Sequence, residues 1–193
     1  RLLANTTSIK ARAMLSLAYG CGLRPGEVIR LRVGDIDSDR DIIRIVQSKG
    51  DKDRQVKLPT TVLELLRRYW PERSTKYDAD FRPKQRYLFP GRRPYEPLTA
   101  RQQNRLFHQA ADAAGITKPV TVRSLRHSFA THLLDAGVDV RVIQALLGHT
   151  KLTTTARYTR VATALITAIE SPIDLLPGRT VIRRKRKKAK PKT

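Results

Sequence analysis

Three arginines of this 193-residue chain stand in settings that suit the binding of a phosphate. Arg24 directly precedes Pro25, which favours the first position of a helix, so its guanidinium and the free N–H groups of that helix could face one anion. Arg123 and Arg126 are three residues apart in a segment of helical periodicity, which places them on one helix face. Such a clamp could stabilise the charge that develops when a phosphodiester is attacked, without a metal ion.

The charge of the chain indicates a polyanionic partner. It has 39 lysines and arginines against 17 acidic residues, a net charge of +22. Residues 179–193 hold nine of these cations and no acid, yet the remainder of the chain is still strongly basic. Nucleic acid is the polyanion that such a charge indicates. The alternative is a solvated basic surface, in which case the three arginines would be ordinary surface residues.

Cysteine and histidine usage argues against disulfides and against a metal site. Cys21 is the only cysteine, which excludes an internal disulfide and fits a reducing compartment. The four histidines lack metal-binding spacing, and no carboxylate cluster suits a pair of metal ions, so we expect neither metal nor cofactor. No apolar run is long enough to span a bilayer, and no membrane association is expected.

A mainly helical fold with one small antiparallel sheet, in the α+β class, is predicted around these residues. Apolar spacing and capping residues predict the helices. They are expected over Ile9–Tyr19, Pro25–Leu31, Thr61–Tyr69, 99–114, 121–136, 139–148, 153–158 and 162–169. Thr99, Thr121 and Asp139 are the predicted N-caps of three of them.

The sheet is predicted from two runs of β-forming residues that flank a turn. The runs are Ile42–Val46 and Arg54–Leu58, and residues 48–53 between them are turn formers. The segment 33–37 is a candidate third strand. The proline-rich stretch 71–97 is predicted to be loop.

Five short segments resemble, in order, the motif boxes of the tyrosine recombinase or phage integrase family. They are Tyr19–Glu27, Ser48–Arg54, Leu125–Leu134, Leu146–His149 and Thr153–Thr159. The sequence of residues 121–174 is most similar to those of Xer-like and transposon-borne members. The resemblance implies the family's catalytic-domain fold over 1–178. The run of cations over 179–193 predicts a basic and disordered tail. The family's N-terminal core-binding domain is expected to be absent from this chain.

The resemblance implies an enzyme that breaks and rejoins double-stranded DNA in site-specific recombination or in transposon integration and excision. Tyr158, nine residues after His149, would be the nucleophile and would form a 3′-phosphotyrosine bond as a 5′-hydroxyl leaves. Lys49 would act as general acid for that leaving oxygen, with Lys52 as the competing candidate. His149 would hydrogen-bond the scissile phosphate. Glu27 matches the family's acidic position and would orient arginines or the histidine.

Arg24 and Arg126 match the two catalytic arginines of the family, but Arg123 departs from its pattern. The family has histidine three residues before its second arginine, whereas related type IB topoisomerases carry lysine there. Arginine cannot accept a proton at physiological pH, so the general-base role of that histidine is not available to Arg123. We expect Arg123 to contact phosphate directly. His127 is a poor substitute for the missing histidine, because its side chain lies about 100° round the helix from that of Arg126.

Further DNA contacts are expected from basic residues outside this catalytic set. They are Lys52, Arg54, Arg183, Arg184, Lys185, Arg186, Lys187 and Lys188. Copies of the chain are expected to associate on DNA as dimers or tetramers through apolar residues after Tyr158. Those residues are Ala164, Leu165, Ala168, Ile169, Ile173, Leu175 and Leu176. Packing of this segment on its own domain is the alternative. The resemblance to this family implies that the protein acts in the cytoplasm of a prokaryote, near the nucleoid.

Two other functions fit the same residues. One is a relaxing topoisomerase of type IB chemistry, which would act as a monomer and would not exchange strands. The other is a DNA-binding module that no longer cleaves, which the presence of Arg123 suggests. A covalent DNA adduct would separate the enzymes from the binding module.

Overall fold

The computed structural model describes residues 1–46, 53–76, 78–80, 82–93, 95–148 and 171–173. Within these residues it contains six α-helices and one antiparallel sheet of three strands, which confirms the predicted fold class. The helices are α1 (Ile9–Gly20), α2 (Pro25–Arg30), α3 (Thr60–Tyr69), α4 (Ala100–Ala113), α5 (Val122–Asp135) and α6 (Val140–Leu147). The strands are β1 (Ile36–Asp37), β2 (Ile42–Ile45) and β3 (Arg54–Lys57).

Helix α1 lies at the centre of the core. Ser8 begins it by accepting a hydrogen bond from the backbone N–H of Ala11 at 3.2 Å, as an N-cap residue does. Helices α3, α4 and α5 all pack against α1. All residues of the helix between Ala13 and Gly20, on every face, are therefore buried. A helix that is covered all round needs no polar face.

The predicted helix caps near the candidate arginines are confirmed at two helices. The Thr99 hydroxyl accepts from the N–H of Gln102 at 3.2 Å and begins α4. Asp139 accepts from the N–H of Arg141 at 2.7 Å and begins α6. Thr121 is the residue before α5, and there its backbone N–H donates to the Ser124 hydroxyl at 3.1 Å.

The sheet has the strand order β1-β2-β3, with both pairs antiparallel. Ile43 pairs with Val56, and Ile45 pairs with Arg54, which places the start of β3 beside the core. The third strand predicted over 33–37 is only Ile36–Asp37. Residues 33–35 form a 3₁₀ turn instead. The N–H of Asp35 donates to the carbonyl of Arg32 at 3.1 Å, and the Asp35 carboxylate accepts from the N–H of Arg32 at 2.8 Å.

The connection predicted as loop over 71–97 contains three short 3₁₀ turns, at Trp70–Glu72, Asp78–Asp80 and Pro83–Gln85. Arg73 holds it together, with a side chain that is 1% exposed. Its guanidinium donates to both carboxylate oxygens of Asp78, at 2.7 and 2.8 Å, and to the carbonyl of Tyr87. These bonds join separate parts of the irregular segment to one another.

Residues 171–173 pack on α1 within the same chain. The buried Ser171 hydroxyl donates to the carbonyl of Gly20 at 2.7 Å, and the fully buried Ile173 lies against Gly20 and Val62. Ile173 was expected on a surface between copies, and its position in the core corrects that expectation. The other residues of that expected surface, the predicted helices 153–158 and 162–169, and the tail lie outside the described residues.

Within the described part of the chain, no helix combines the length and the apolar composition that a membrane-spanning segment requires.

Candidate active site

Arginines from three separate elements converge on the C-terminal end of α6. Arg24 is the residue before α2, Arg54 opens β3, and Arg126 lies in the second turn of α5. The sequence predicted that Arg24 and Arg126 would share a site, and the structure brings them to the same helix end. Arg54 completes the group, which we call the arginine cluster: Arg24, Arg54 and Arg126.

Glu27 is the carboxylate at the centre of the arginine cluster. Its Oε2 accepts from the backbone N–H of Arg24 at 2.8 Å, which stabilises the first turn of α2. Its Oε1 accepts from Nη1 of Arg24, also at 2.8 Å. Arg54 donates from Nη1 and Nη2 to the two carboxylate oxygens, at 2.7 Å each. One carboxylate therefore binds two guanidinium groups, as was expected of Glu27 from its position in the motif.

Arg126 is held by backbone carbonyls rather than by a carboxylate. Its Nη1 donates to the carbonyl of Gly22 at 2.8 Å, and its Nη2 donates to the carbonyl of Leu147. These two bonds tie α5 both to the turn before Arg24 and to the end of α6. They fix the plane of the guanidinium, and a fixed planar fork is what recognition of a phosphate requires.

Each arginine of the cluster bonds to a different carbonyl in three consecutive residues at the end of α6. Arg54 donates from Nε to Leu146 at 3.2 Å, Arg126 donates to Leu147, and Arg24 donates to Gly148 at 3.4 Å. The last carbonyls of a helix lack partners within it and carry the negative end of its dipole. They therefore satisfy guanidinium groups without adding a full negative charge to the site.

Gly148 allows this arrangement, because its φ of +63° lies in the left-handed region that glycine adopts without strain. A Cβ at this position would lie 2.8 Å from Cδ of Arg54. The chain therefore turns at the end of α6 directly against the arginine cluster.

The pKa values of the site show how its charges interact. Burial alone would raise the pKa of Glu27, but the hydrogen bonds and positive charge of Arg54, with further bonds from Arg24, lower it to about 2. Burial lowers the pKa of Arg126 to about 10, and the charges of Arg24 and Arg54 add to the effect while Glu27 opposes it. Glu27 is thus ionised at neutral pH, and the charged form of Arg126 is disfavoured by its neighbours.

Three guanidinium groups surround one carboxylate, so these four side chains carry an excess of two positive charges. Arg24 remains 28% exposed, whereas Glu27 and Arg54 are 5% and 8% exposed. An anion that approached Arg24 and Arg126 would relieve their mutual repulsion. A phosphate has the charge and the planar oxygen pairs that fit this arrangement.

Arg123 is exposed in the first turn of α5. Among the described residues its side chain has no hydrogen-bond or ion-pair partner. The other predicted catalytic residues, Lys49, His149 and Tyr158, lie outside the described residues. The same holds for Lys52 and for the predicted DNA-binding residues Arg183, Arg184, Lys185, Arg186, Lys187 and Lys188.

Arg54 was expected to contact DNA, and the structure instead places its guanidinium against Glu27 in the interior. A signal for this position was present in the sequence. Successive side chains of a strand alternate between faces, so Arg54 shares its face with Val56 and Leu58, which are 1% and 0% exposed. An arginine in an inward position needs a buried partner, and Glu27 is that partner.

Two further polar contacts near the site were not predicted. Gln103 of α4 is 1% exposed, and its amide donates to the carbonyl of Pro25 at 3.2 Å, which supports the start of α2. Tyr19 is buried, and its hydroxyl lies 2.9 Å from Nδ1 of His132. Burial raises the pKa of Tyr19, which makes this tyrosine a poor nucleophile. Among the described residues no group of histidine, cysteine and acidic side chains could hold a metal ion.

Comparisons with known proteins agree with this fold. The sequence model of the phage integrase family matches residues 1–164, and the chain belongs to this family. A protein of Sinorhizobium fredii, y4qK, named as a proposed integrase/recombinase, is 47% identical over 169 residues, which cover 88% of this chain and 52% of that protein. The tyrosine recombinase XerA of Thermococcus kodakarensis is 40% identical over 157 residues, 80% of this chain and 52% of that protein.

A solved structure of XerA recombinase superimposes with a TM-score of 0.66 at 31% identity, covering 86% of this chain and 55% of that one. The chain thus spans about half the length of the relatives it matches. The similarity establishes the family and its catalytic-domain fold for the part of the protein that this chain represents.

Proposed function

We propose that this chain cleaves and rejoins DNA strands through a covalent 3′-phosphotyrosine intermediate, in site-specific recombination or in transposon integration and excision. The observation that carries the proposal is the arginine cluster, in which Arg24 and Arg54 share the carboxylate of Glu27 and Arg126 is held beside them by two backbone carbonyls. Attack on a phosphodiester places additional negative charge on its non-bridging oxygens. Fixed cations already oriented in a partly buried site stabilise that charge with little rearrangement.

The proposed chemistry assigns each remaining residue a step. The Tyr158 oxygen attacks phosphorus, the bond between phosphorus and the 5′-oxygen breaks, and Lys49 supplies the proton that the 5′-oxygen gains. Arg24, Arg126 and His149 bind the non-bridging oxygens. A 5′-hydroxyl from a second strand then attacks the phosphotyrosine, so the strand is rejoined and the phenol is released.

Arg123 would contribute charge to this reaction but not base catalysis. It is exposed beside Arg126 on α5, and a guanidinium stays protonated at neutral pH. We infer that Arg123 binds the scissile phosphate or a neighbouring one. The Tyr158 phenol would then lose its proton to water, a step that the nearby positive charges favour by stabilising the phenolate.

Double-stranded DNA is the proposed partner, and the net charge of +22 supports it. The tail, residues 179–193, would bind neighbouring phosphates without sequence preference. We further propose that copies of the chain associate on DNA through the apolar residues Ala164, Leu165, Ala168, Ile169, Leu175 and Leu176. Ile173 is left out of this surface, because it is buried in the chain's own core. The protein would act at the nucleoid of a prokaryotic cell.

Covalent capture tests the proposed reaction. The chain is incubated with nicked DNA duplexes of random sequence, so that cleavage close to the nick releases a short fragment and prevents rejoining. Denaturing gels detect protein-linked DNA, and sequencing of the linked strands gives the target. We expect adducts that form equally well in EDTA, that are absent in Tyr158→Phe, and that persist in Tyr95→Phe, where an exposed tyrosine serves as control.

The same assay separates the two rival functions. Strand transfer to a second duplex supports a recombinase, whereas adducts that only relax supercoiled plasmid indicate a topoisomerase. A parent chain that binds the library and forms no adduct would be a binding module, as the arginine at position 123 allows. Adducts that survive in Tyr158→Phe would disprove the assignment of the nucleophile.

A further inference from the structure

We propose that Arg54 is a positioning residue that orients Arg24 through Glu27 and the end of α6, and that it does not contact DNA. The inference rests on the proposed function, because it concerns how the phosphate-binding arginines are held. It replaces the expectation that Arg54 belongs to the DNA-binding surface.

The hydrogen bonds of Arg54 are directed into the protein. Nη1 and Nη2 donate to both oxygens of Glu27 at 2.7 Å, and Nε donates to the carbonyl of Leu146 at 3.2 Å. The side chain is 8% exposed. To reach a DNA phosphate, Arg54 would have to leave a buried carboxylate without its principal partner, which is strongly unfavourable.

Arg54 controls the charge that Arg24 presents. The carboxylate that Arg54 binds also accepts from the side chain and from the backbone N–H of Arg24, at 2.8 Å each. While Arg54 compensates Glu27, Arg24 keeps positive charge for an external anion. Without Arg54, the carboxylate would depend more on Arg24, would offset more of the charge of Arg24 and would draw its guanidinium away from the phosphate.

Arg54 also sets the distance between β3 and the end of α6. Its bond to Leu146 joins the strand to the helix turn whose next carbonyls receive Arg126 and Arg24. The close approach of Arg54 to Gly148 leaves no room for a larger residue there. A shift of about 1 Å in a group that orients a reacting site can reduce the rate by roughly 100-fold. The contact of Arg54 with the end of α6 can therefore affect the reaction rate although Arg54 does not touch the reacting groups.

A double-mutant cycle between Glu27→Gln and Arg54→Met tests the proposal on the full chain. The readouts are affinity for a generic DNA duplex at several salt concentrations and the rate of adduct formation. In the parent background, Arg54→Met should lower both by about tenfold or more. In the Glu27→Gln background the same change should have an effect of about threefold or less, because the carboxylate through which Arg54 acts is no longer charged. Arg40→Met, which removes a side chain that is 78% exposed, is the control for the removal of one positive charge.

A direct contact with DNA gives a different result. Arg54→Met would then weaken binding by the same factor in both backgrounds, and the slope of log K against log salt would flatten by about 0.9 in both. That outcome overturns the proposal. DNA affinity and its salt slope can be measured whether or not the chain cleaves DNA. A parent chain that forms no adduct would therefore refute the proposed reaction, while the binding data would still test the role of Arg54.

The pH profile separates positioning from a purely structural role. Without Arg54, the pKa of Glu27 should return towards its ordinary range, because Arg54 is its principal hydrogen-bonding and ionic partner. The DNA affinity of Arg54→Met should therefore recover towards the parent value as pH falls from about 6 to 4 and Glu27 becomes neutral. Arg54→Lys, which keeps the charge but not the paired bonds, serves if the methionine variant does not fold. It should show a partial loss, and parental affinity and rate in Arg54→Lys would contradict the proposal.

Discussion

Replacing Glu27 with glutamine should destabilise the fold and should remove part of its sensitivity to acid. The substitution keeps the shape of the side chain but removes the carboxylate that binds both Arg24 and Arg54. The glutamine amide would also direct N–H groups towards guanidinium donors. The arginine cluster would then hold three positive charges around Gly148 without a compensating negative charge.

Two estimates of the magnitude agree. The fall in the pKa of Glu27 from 4.5 to about 2 corresponds to about 3 kcal/mol of stabilisation, at roughly 1.4 kcal/mol per pH unit. Breaking a buried ion pair by removing one partner typically costs about 3–5 kcal/mol. We therefore expect the free energy of unfolding at pH 7 to fall by about 3 kcal/mol, a large part of the stability of an ordinary domain.

The dependence on pH follows from the sign of the shift. The pKa of Glu27 is lower in the folded protein than its ordinary value of 4.5, so the carboxylate stabilises the fold above that pH and loses its contribution as pH falls towards 2. The difference in unfolding free energy between parent and Glu27→Gln should be largest near neutrality. It should shrink progressively below pH 4.5 as the parent's carboxylate becomes protonated.

Urea denaturation followed by circular dichroism, repeated between pH 3 and 7, measures this difference. Glu72→Gln is the matched control, because Glu72 is exposed and should change stability by less than about 0.5 kcal/mol. A loss below about 1 kcal/mol at pH 7 would refute the reasoning. So would a loss that stays constant across the pH range, since it would show that the charge of Glu27 is not what stabilises the site.

Three other changes test the remaining parts of the site. Arg123→Ala should weaken DNA binding and abolish or strongly reduce adduct formation, and a variant that cleaves like the parent would make Arg123 a bystander. Deletion of 179–193 should flatten the salt dependence of DNA binding. The slope of log K against log salt should change by about 0.9 for each phosphate that the tail would otherwise neutralise. An unchanged slope would exclude the tail from the interface with DNA. Gly148→Ala should cost about 1–2 kcal/mol for its left-handed backbone and more for its close approach to Arg54 at 2.8 Å. Gly137→Ala, at φ +78° with open space around it, supplies the backbone cost alone, and equal losses in urea denaturation would show that the approach to Arg54 is unimportant.

Local sequence signals predicted most of the fold, because each depends on residues a few positions apart. The caps at Thr99 and Asp139 and the positions of β2 and β3 agree with the structure to within a residue or two. The prediction was wrong for residues 33–35, which turn instead of extending. Arg32 pairs with the distant Tyr87, and Asp35 then bonds back to Arg32, and neither contact follows from strand propensity.

The residues of the candidate site show the same difference between local and distant signals. The motif boxes identified Arg24, Glu27 and Arg126, and the structure brings these three residues together. The role of Arg54 could not be predicted from its motif, because it depends on a carboxylate 27 positions away and on a carbonyl 92 positions away. Only the folded chain places those partners on either side of the same guanidinium.

The arginine cluster makes binding and folding depend on each other. The three guanidinium groups repel one another in a partly buried space, where Glu27 bonds to Arg24 and Arg54 while Arg126 bonds to backbone carbonyls. The pKa of Arg126 is lowered by burial and by this repulsion. The carbonyls at the end of α6 offset part of this cost, but as partial charges they cannot remove it. A phosphate between Arg24 and Arg126 would supply the missing negative charge, and a ligand that binds only the folded state stabilises it in proportion to the logarithm of its concentration. The same feature that leaves the site poorly neutralised without DNA thus gives it affinity for a phosphodiester, because the electrostatic cost carried by the free protein is relieved when the substrate binds.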